Sequence, residues 1–124
     1  MLIDHFPVDD GAMVQLTFEH FGSPWKQGIA LRTNGSFEIG SQTVWNGIVL
    51  WQDTAPRVTQ LRVKTMSGFI EVNNMWDVGD GCVHSWHNGA AMIVEDIATG
   101  RRYRCNDGHP DDNFDDIVFR LEIA

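Results

Sequence analysis

What most restricts the fold of this chain is a hydrophobic alternation with a period of two, repeated almost from end to end. Val14, Leu16 and Phe18 alternate with Gln15, Thr17 and Glu19, and residues 57–65 (RVTQLRVKT) alternate in the same way. The last run places Ile117, Phe119, Leu121 and Ile123 on one side, with Arg120 and Glu122 on the other. Successive side chains of a strand point to opposite faces, so this is the pattern of half-buried strands. No stretch keeps the apolar spacing of a helix over three turns.

Turn chemistry divides the pattern. In IALRTNGSFEI, Asn34-Gly35 stands between two strand-like runs and predicts a hairpin, because both central positions of a type I′ turn need positive φ. Asn46-Gly47 interrupts TVWNGIVLWQ (43–52), as a bulge or a second tight turn. Ser67-Gly68 separates 57–65 from GFIEV (68–72), and IATG joins AAMIVED (90–96) to RRYRC (101–105) as another hairpin. There are 12 glycines, and turn signals recur roughly every 8–12 residues. The expected fold is therefore all-β, an antiparallel β-sandwich or jelly roll of about eight or nine strands, with a partly closed barrel as its competitor. A chain of 124 residues suits one domain, 1–124, with binding sites in the loops at the sheet ends.

Charge restricts the partners. The net charge is −8, and five aspartates between residues 107 and 116 contribute −5 of it, leaving −3 for the rest. A negative chain without a basic block is a poor partner for nucleic acid or anionic lipid, which bind through Lys and Arg. No apolar run approaches the roughly 20 residues of a membrane helix. The N-terminal MLIDHFPVDD has no basic region, apolar core or cleavage site, so no secretory signal peptide is expected in this chain. That leaves the cytoplasm or a signal-less export route. Cys82 and Cys105 are too few for a disulfide framework; they are either bridged or two buried thiols.

The stretch NDGHPDDNFDDIVF (106–119) crowds Asp107, Asp111, Asp112, Asp115 and Asp116 directly before the last alternating run. Five carboxylates in one loop repel each other, and a hard cation relieves the repulsion. Calcium takes six to eight oxygens from carboxylates, amide side chains and backbone carbonyls, and this stretch offers all three, Asn106 and Asn113 included. Magnesium, with its near-octahedral shell, tolerates such crowding less well. The spacing is not that of an EF-hand. The bland alternative is an acidic loop that is simply solvated.

An Asn-Asp pair closing one strand, an acidic turn and a further acidic pair before an alternating last strand resemble the calcium loop of the LecA-type galactose-binding bacterial lectins, which are jelly-roll sandwiches. The resemblance covers about 20 residues and implies calcium ligands at Asp107, Asp111, Asp115 and Asp116, with one extra residue in the loop. Where those lectins carry Asn, this chain has Asp115 and Asp116, which favours the ion but offers no amide donor to a sugar hydroxyl. DNFDDIVF is also similar to the acidic motif that ends several bacterial β-sandwich domains.

Other residues offer weaker sets. CVHSWHNG (82–89), with Cys105 and His109, assembles two thiols and three imidazoles, but no zinc-finger spacing is met. A cysteine nucleophile would need a convergence that spacing does not show. Most of the five tryptophans are expected in the core or on a sheet face, although Trp25 and Trp76 sit in loop-like contexts beside Ser, Asn and Asp, where an indole can stack on a sugar ring. No acid–base pair, phosphate loop or nucleophile elbow is present, so a binding module is expected and not an enzyme.

Two function classes follow. The first is a calcium-dependent carbohydrate-binding, lectin-like module, with its ion in the Asp107–Asp116 loop. Its ligand would be held by that loop with His109, Asp112, Trp76 and Trp86, and self-association is compatible with it. The second is a small acidic protein that binds another protein, such as an antitoxin-like or immunity-type inhibitor of a basic toxin, steered by negative surface charge.

Overall fold

The computed structural model describes residues 3–21, 26–51, 55–77, 83–84, 91–106 and 117–123, and every regular element among them is a strand. In chain order these are β1 (Asp4–Pro7), β2 (Met13–Phe21), β3 (Lys26–Ile39), β4 (Gln42–Trp51), β5 (Val58–Thr65), β6 (Phe69–Asp77), β7 (Val83–His84), β8 (Ala91–Ile97), β9 (Gly100–Asn106) and β10 (Ile117–Ile123). All pairings are antiparallel and form one ladder, β1-β6-β3-β5-β2-β10-β9-β8, with β4 on β3 and β7 on β6. The all-β, antiparallel expectation holds. The ten strands exceed the expected number because the short β1 and β7 carry no alternation long enough to read.

The strands form where the alternation places them. β5 alternates exposed and buried residues throughout, turning Thr59, Leu61, Val63 and Thr65 inward. Its neighbour β2 contributes Val14, Leu16 and Phe18, and β10 contributes Ile117, Phe119 and Leu121, all to one continuous core. Burying each such aliphatic or aromatic side chain stabilises the fold by about 1.5–3 kcal/mol.

β3 is where the sheet turns a corner. One of its edges pairs with β6 over Lys26–Arg32 and then with β5 over Gly35–Glu38, while β4 runs along the other edge. A strand that changes partners midway carries a sheet from one layer to the next. The hairpin expected at Asn34-Gly35 is therefore corrected: β3 continues through it. The tight turn comes at Gly40-Ser41, between the paired Ile39 and Gln42, with Gly40 at φ 60°. A glycine at the first central position is what a type II′ turn requires.

Both Asn-Gly pairs serve the corner instead. Arg32 pairs with Gly47 and Ser36 with Trp45, so three residues of β3 oppose Asn46 alone. Asn46 absorbs the irregularity at φ 71°, the one positive value at a non-glycine residue among those described. Asn46-Gly47 is thus a bulge. Gly35 is required by close approach, since a Cβ there would lie 1.9 Å from the Lys64 carbonyl oxygen. At the fork where β5 and β6 part, the buried Thr33 hydroxyl is hydrogen-bonded to Thr65 Oγ1 at 2.7 Å and to the Phe69 carbonyl at 2.9 Å.

The two ends of the ladder meet through side chains. Asp4 of β1 accepts hydrogen bonds from Arg101 Nη1 at 2.7 Å and Tyr103 Oη at 2.6 Å, both on β9. The Tyr103 ring stacks on Phe119 with centroids 4.8 Å apart. Cys105 is buried between its strand partners Met92 and Ile117, while Cys82 lies outside the described residues. Among the described residues no helix is long and apolar enough to cross a membrane.

Candidate functional site

The described strand ends that flank the connections 22–25, 52–57, 78–82, 85–90 and 107–116 lie toward one end of the sheet. Phe21 at the end of β2 pairs with Ile117, Ile117 pairs with Cys105, and Cys105 with Met92. In the other layer Lys26 pairs with Asp77, Gly28 with Trp51 and Trp76 with His84. Residues 22–25 are too few to span the length of a strand and return, so Phe21 and Lys26 lie at the same end.

The connections that leave those strand ends are acidic in sequence. Together the five hold Asp53, Asp80, Asp107, Asp111, Asp112, Asp115 and Asp116, with Arg57 as their one Lys or Arg, a net −6 of the chain's −8. The acidic run is tied at its base by the Cys105–Ile117 rung, whose strands lie about 5 Å apart.

Most of the residues expected to bind fall outside the described residues: Asp107, His109, Asp111, Asp112, Asn113, Asp115, Asp116 and Trp86, together with Trp25, Cys82 and His87. Asn106 closes β9 opposite Ala91, and Trp76 lies on β6 opposite Gln27 and His84, so both stand at the acidic end. Among the described residues no group of three His, Cys, Asp or Glu is placed to hold a metal ion.

A second region was not expected. Trp45 pairs with Ser36 of β3, and Ser36 with Lys64 of β5; the next row runs Thr43, Glu38, Arg62. Cross-strand partners share a face. The intervening Phe37 and Val63 are fully buried, so these rows face outward. Trp45 is 70% exposed and Met66 is 87% exposed. Both border a groove of about 470 Å³ that also touches Asp10, Glu38, Thr43 and Lys64. One Asp10 oxygen accepts the Thr65 backbone N–H at 3.0 Å.

On the far side of the Asn34-Gly35 ridge lies a smaller groove of about 340 Å³, lined by Arg32, Asn34, Asn46, Phe69 and Glu71. His5 stacks on Phe69 at 4.5 Å and lies 3.8 Å from Glu71, whose carboxylate is 4.0 Å from Arg32. Contacts this long between exposed groups order the surface without adding much stability.

A third polar cluster is structural. Between Phe18 and His20, which pair with Phe119 and Val118, Glu19 is an extra residue in β2. The bulge directs its carboxylate to Arg102, which donates to it from Nη2 at 2.6 Å and Nε at 3.1 Å. The Glu19 bonds raise the Arg102 pKa further above its ordinary value.

A scan against protein-family models and searches of curated proteins and of solved structures found no match to this chain.

Proposed function

We propose that this protein is a calcium-dependent carbohydrate-binding, lectin-like module whose ion is held at the acidic end of the sandwich. What supports the reading is that five inter-strand connections, which carry seven aspartates against one basic residue, Arg57, leave strand ends at the same end of the sheet. Concentrated carboxylates repel one another unless a cation joins them, and the oxygen-rich composition of 106–116 suits calcium. The resemblance of 106–119 to the LecA-type calcium loop supports the same assignment. Asp107, Asp111, Asp115 and Asp116 are the proposed ligands, with Asn106 and Asn113 as further oxygen donors. The sugar would reach the ion beside His109, Asp112, Trp76 and Trp86.

Thermal melts in EDTA and in millimolar calcium test the cation. A ligand bound only by the native state stabilises it, so calcium should raise Tm by several degrees and Asp107→Ala with Asp116→Ala should abolish the rise. A glycan array run with and without calcium tests the ligand. Superimposable melts together with calcium-independent array signals would remove the reading. The same charge also suits a basic protein partner; pull-down of basic proteins by the EDTA-treated chain, with a blank array, would favour that class.

A further inference from the structure

We infer that the outward groove at the β3–β4 corner is a second ligand site, one that holds a neutral sugar ring on Trp45 without a metal ion. It lies far along β3 from the acidic end, since Ser36, opposite Trp45, is ten residues beyond Lys26 at about 3.3 Å per residue. It is therefore independent of the calcium reading.

Three observations carry the inference. The first is Trp45 itself, an indole left 70% exposed on β4, a strand paired only to β3 on which Leu50 alone is buried. Its place is fixed by the backbone: the Asn46 bulge follows it at once, and Ser36 and Lys64 extend its row across two neighbouring strands. The second is polarity. Glu38 and Lys64 have no side-chain hydrogen bond or ion pair among the described residues, and Asp10 has only the Thr65 amide on one oxygen. Carboxylate, ammonium and hydroxyl groups thus line one groove with the ring, with the bonding capacity of Glu38 and Lys64 unspent. The third is size, because about 470 Å³ lies within the roughly 300–1,000 Å³ of small-ligand sites.

The chemistry selects among occupants. A pyranose presents apolar C–H groups on one face and hydroxyls around its rim, matching an indole ringed by acceptors and a donor. A protein partner is disfavoured because interface cores are depleted in Lys, Glu and Asp, and three such residues border this single aromatic. A cationic ligand on the indole would meet Lys64. An acidic sugar would meet Asp10 and Glu38 against that one lysine. A neutral ring satisfies all of them.

Saturation-transfer NMR and calorimetry with methyl glycosides of glucose, galactose and mannose, and with lactose, maltose and cellobiose, test the site. At least one of these sugars should receive saturation at its ring C–H protons, equally in EDTA and in calcium. Trp45→Ala should weaken it by about tenfold or more, with Trp45→Phe intermediate. Glu38→Gln should weaken it by about three- to tenfold through a lost hydroxyl contact. Because Trp45 and Glu38 face outward, these variants should melt with the wild type, and Glu38→Gln carries the test if Trp45→Ala does not fold. The inference is overturned if none of these sugars binds at millimolar concentration, if Trp45→Ala binds as wild type does, or if Trp45→Ala merely converts a dimer to a monomer in sedimentation. Binding lost in EDTA but kept in Trp45→Ala would place the sugar at the acidic end instead.

Discussion

Tyr103 donates a 2.6 Å hydrogen bond to Asp4, a residue 99 positions earlier in the chain, and the bond closes the sheet on itself. Asp4 also receives Arg101 Nη1, and Arg101 in turn donates to the His5 carbonyl at 3.0 Å and to Asp96 at 3.2 Å. Asp4 is 6% exposed and Tyr103 is fully buried, so the carboxylate is largely desolvated and its Oδ2 takes both donors. Removing one partner differs from removing the hub. Tyr103→Phe should cost about 1–2 kcal/mol, since Asp4 keeps Arg101. Asp4→Ala should cost about 3 kcal/mol, because it strands the buried Tyr103 hydroxyl and takes from Arg101 its shortest carboxylate contact, leaving it the His5 carbonyl and Asp96. Urea denaturation of the two variants reads the difference directly.

The burial of Tyr103, reinforced by this bond, makes stability fall at alkaline pH. Burial, and then the bond to Asp4, push the Tyr103 pKa well above its ordinary value of about 10. Above pH ~10 the unfolded chain therefore releases a proton that the native chain keeps, and stability declines as pH rises through that window. Below it the contribution is present in full. Tyr103 is the only tyrosine, so ultraviolet tyrosinate absorbance reports it without ambiguity. The native protein should show no tyrosinate until the fold is lost, and the urea-unfolded chain should titrate near 10. A native titration near 10 would show that the hydroxyl is not buried against Asp4.

Much of this architecture was legible, and what was not has a common cause. β2, β5, β8, β9 and β10 fall within a residue or so of their alternating runs, because each has one core face and one outer face. β6 continues past Val72 through the buried Asn73 and Asn74, polar residues that end the local pattern although the strand goes on. β1 hides for the same reason, with Asp4 at an inward position that only Arg101 and Tyr103 make tolerable. Asn34-Gly35 misled because glycine permits both a turn and a close approach, and only the presence of Lys64 behind it decides between them. Trp45 was legible as a sheet residue but not as an outward one beside Lys64 and Glu38, since facing depends on which strands become neighbours. The concentration of acid near the C-terminus was plain; that the connections carrying Asp53 and Asp80 leave strand ends at the same end of the sheet needed the topology.

Gly35 gives a sharp test of the corner. A methyl at this position meets the Lys64 backbone oxygen at 1.9 Å, and neither strand can move without disturbing the Thr33–Thr65 bond. Gly35→Ala should destabilise the protein by about 2–4 kcal/mol. Gly40→Ala should cost only about 1–2 kcal/mol, from its φ of 60° alone, because nothing lies within 4 Å of the added Cβ. Equal losses in the two variants would mean that β3 does not bend against β5 as described.

Glu19 offers a test of the outer face. Its two bonds to Arg102 have bidentate geometry, and Arg120 Nε lies 3.8 Å away, but the Arg102 side chain is 43% exposed. Solvent screens such a pair, so Glu19→Gln should lower the melting temperature only slightly, and less at high salt. A larger and salt-independent loss in thermal melts would point to the bulge backbone, and not the charge, as what Glu19 maintains.

The acidic end should respond to charge removal in opposite directions with and without calcium. The 107–116 stretch packs five aspartates into ten positions without a Lys or Arg, and like charges so near in sequence repel one another within the Debye length, about 8 Å at physiological ionic strength. Replacing Asp111 and Asp115 with Asn removes two of those charges while keeping an oxygen at each position. In EDTA the double variant should melt above the wild type, because repulsion in the native state falls, and added sodium chloride should narrow the gap. In millimolar calcium the order should reverse, since the wild type gains a bound ion that the variant holds poorly. A merely solvated acidic segment predicts the first effect without the second: the variant would stay above the wild type in both buffers, and calcium would act no differently from an equal ionic strength of sodium. The crossing of the two melting curves is therefore the signature of coordination, as distinct from screening.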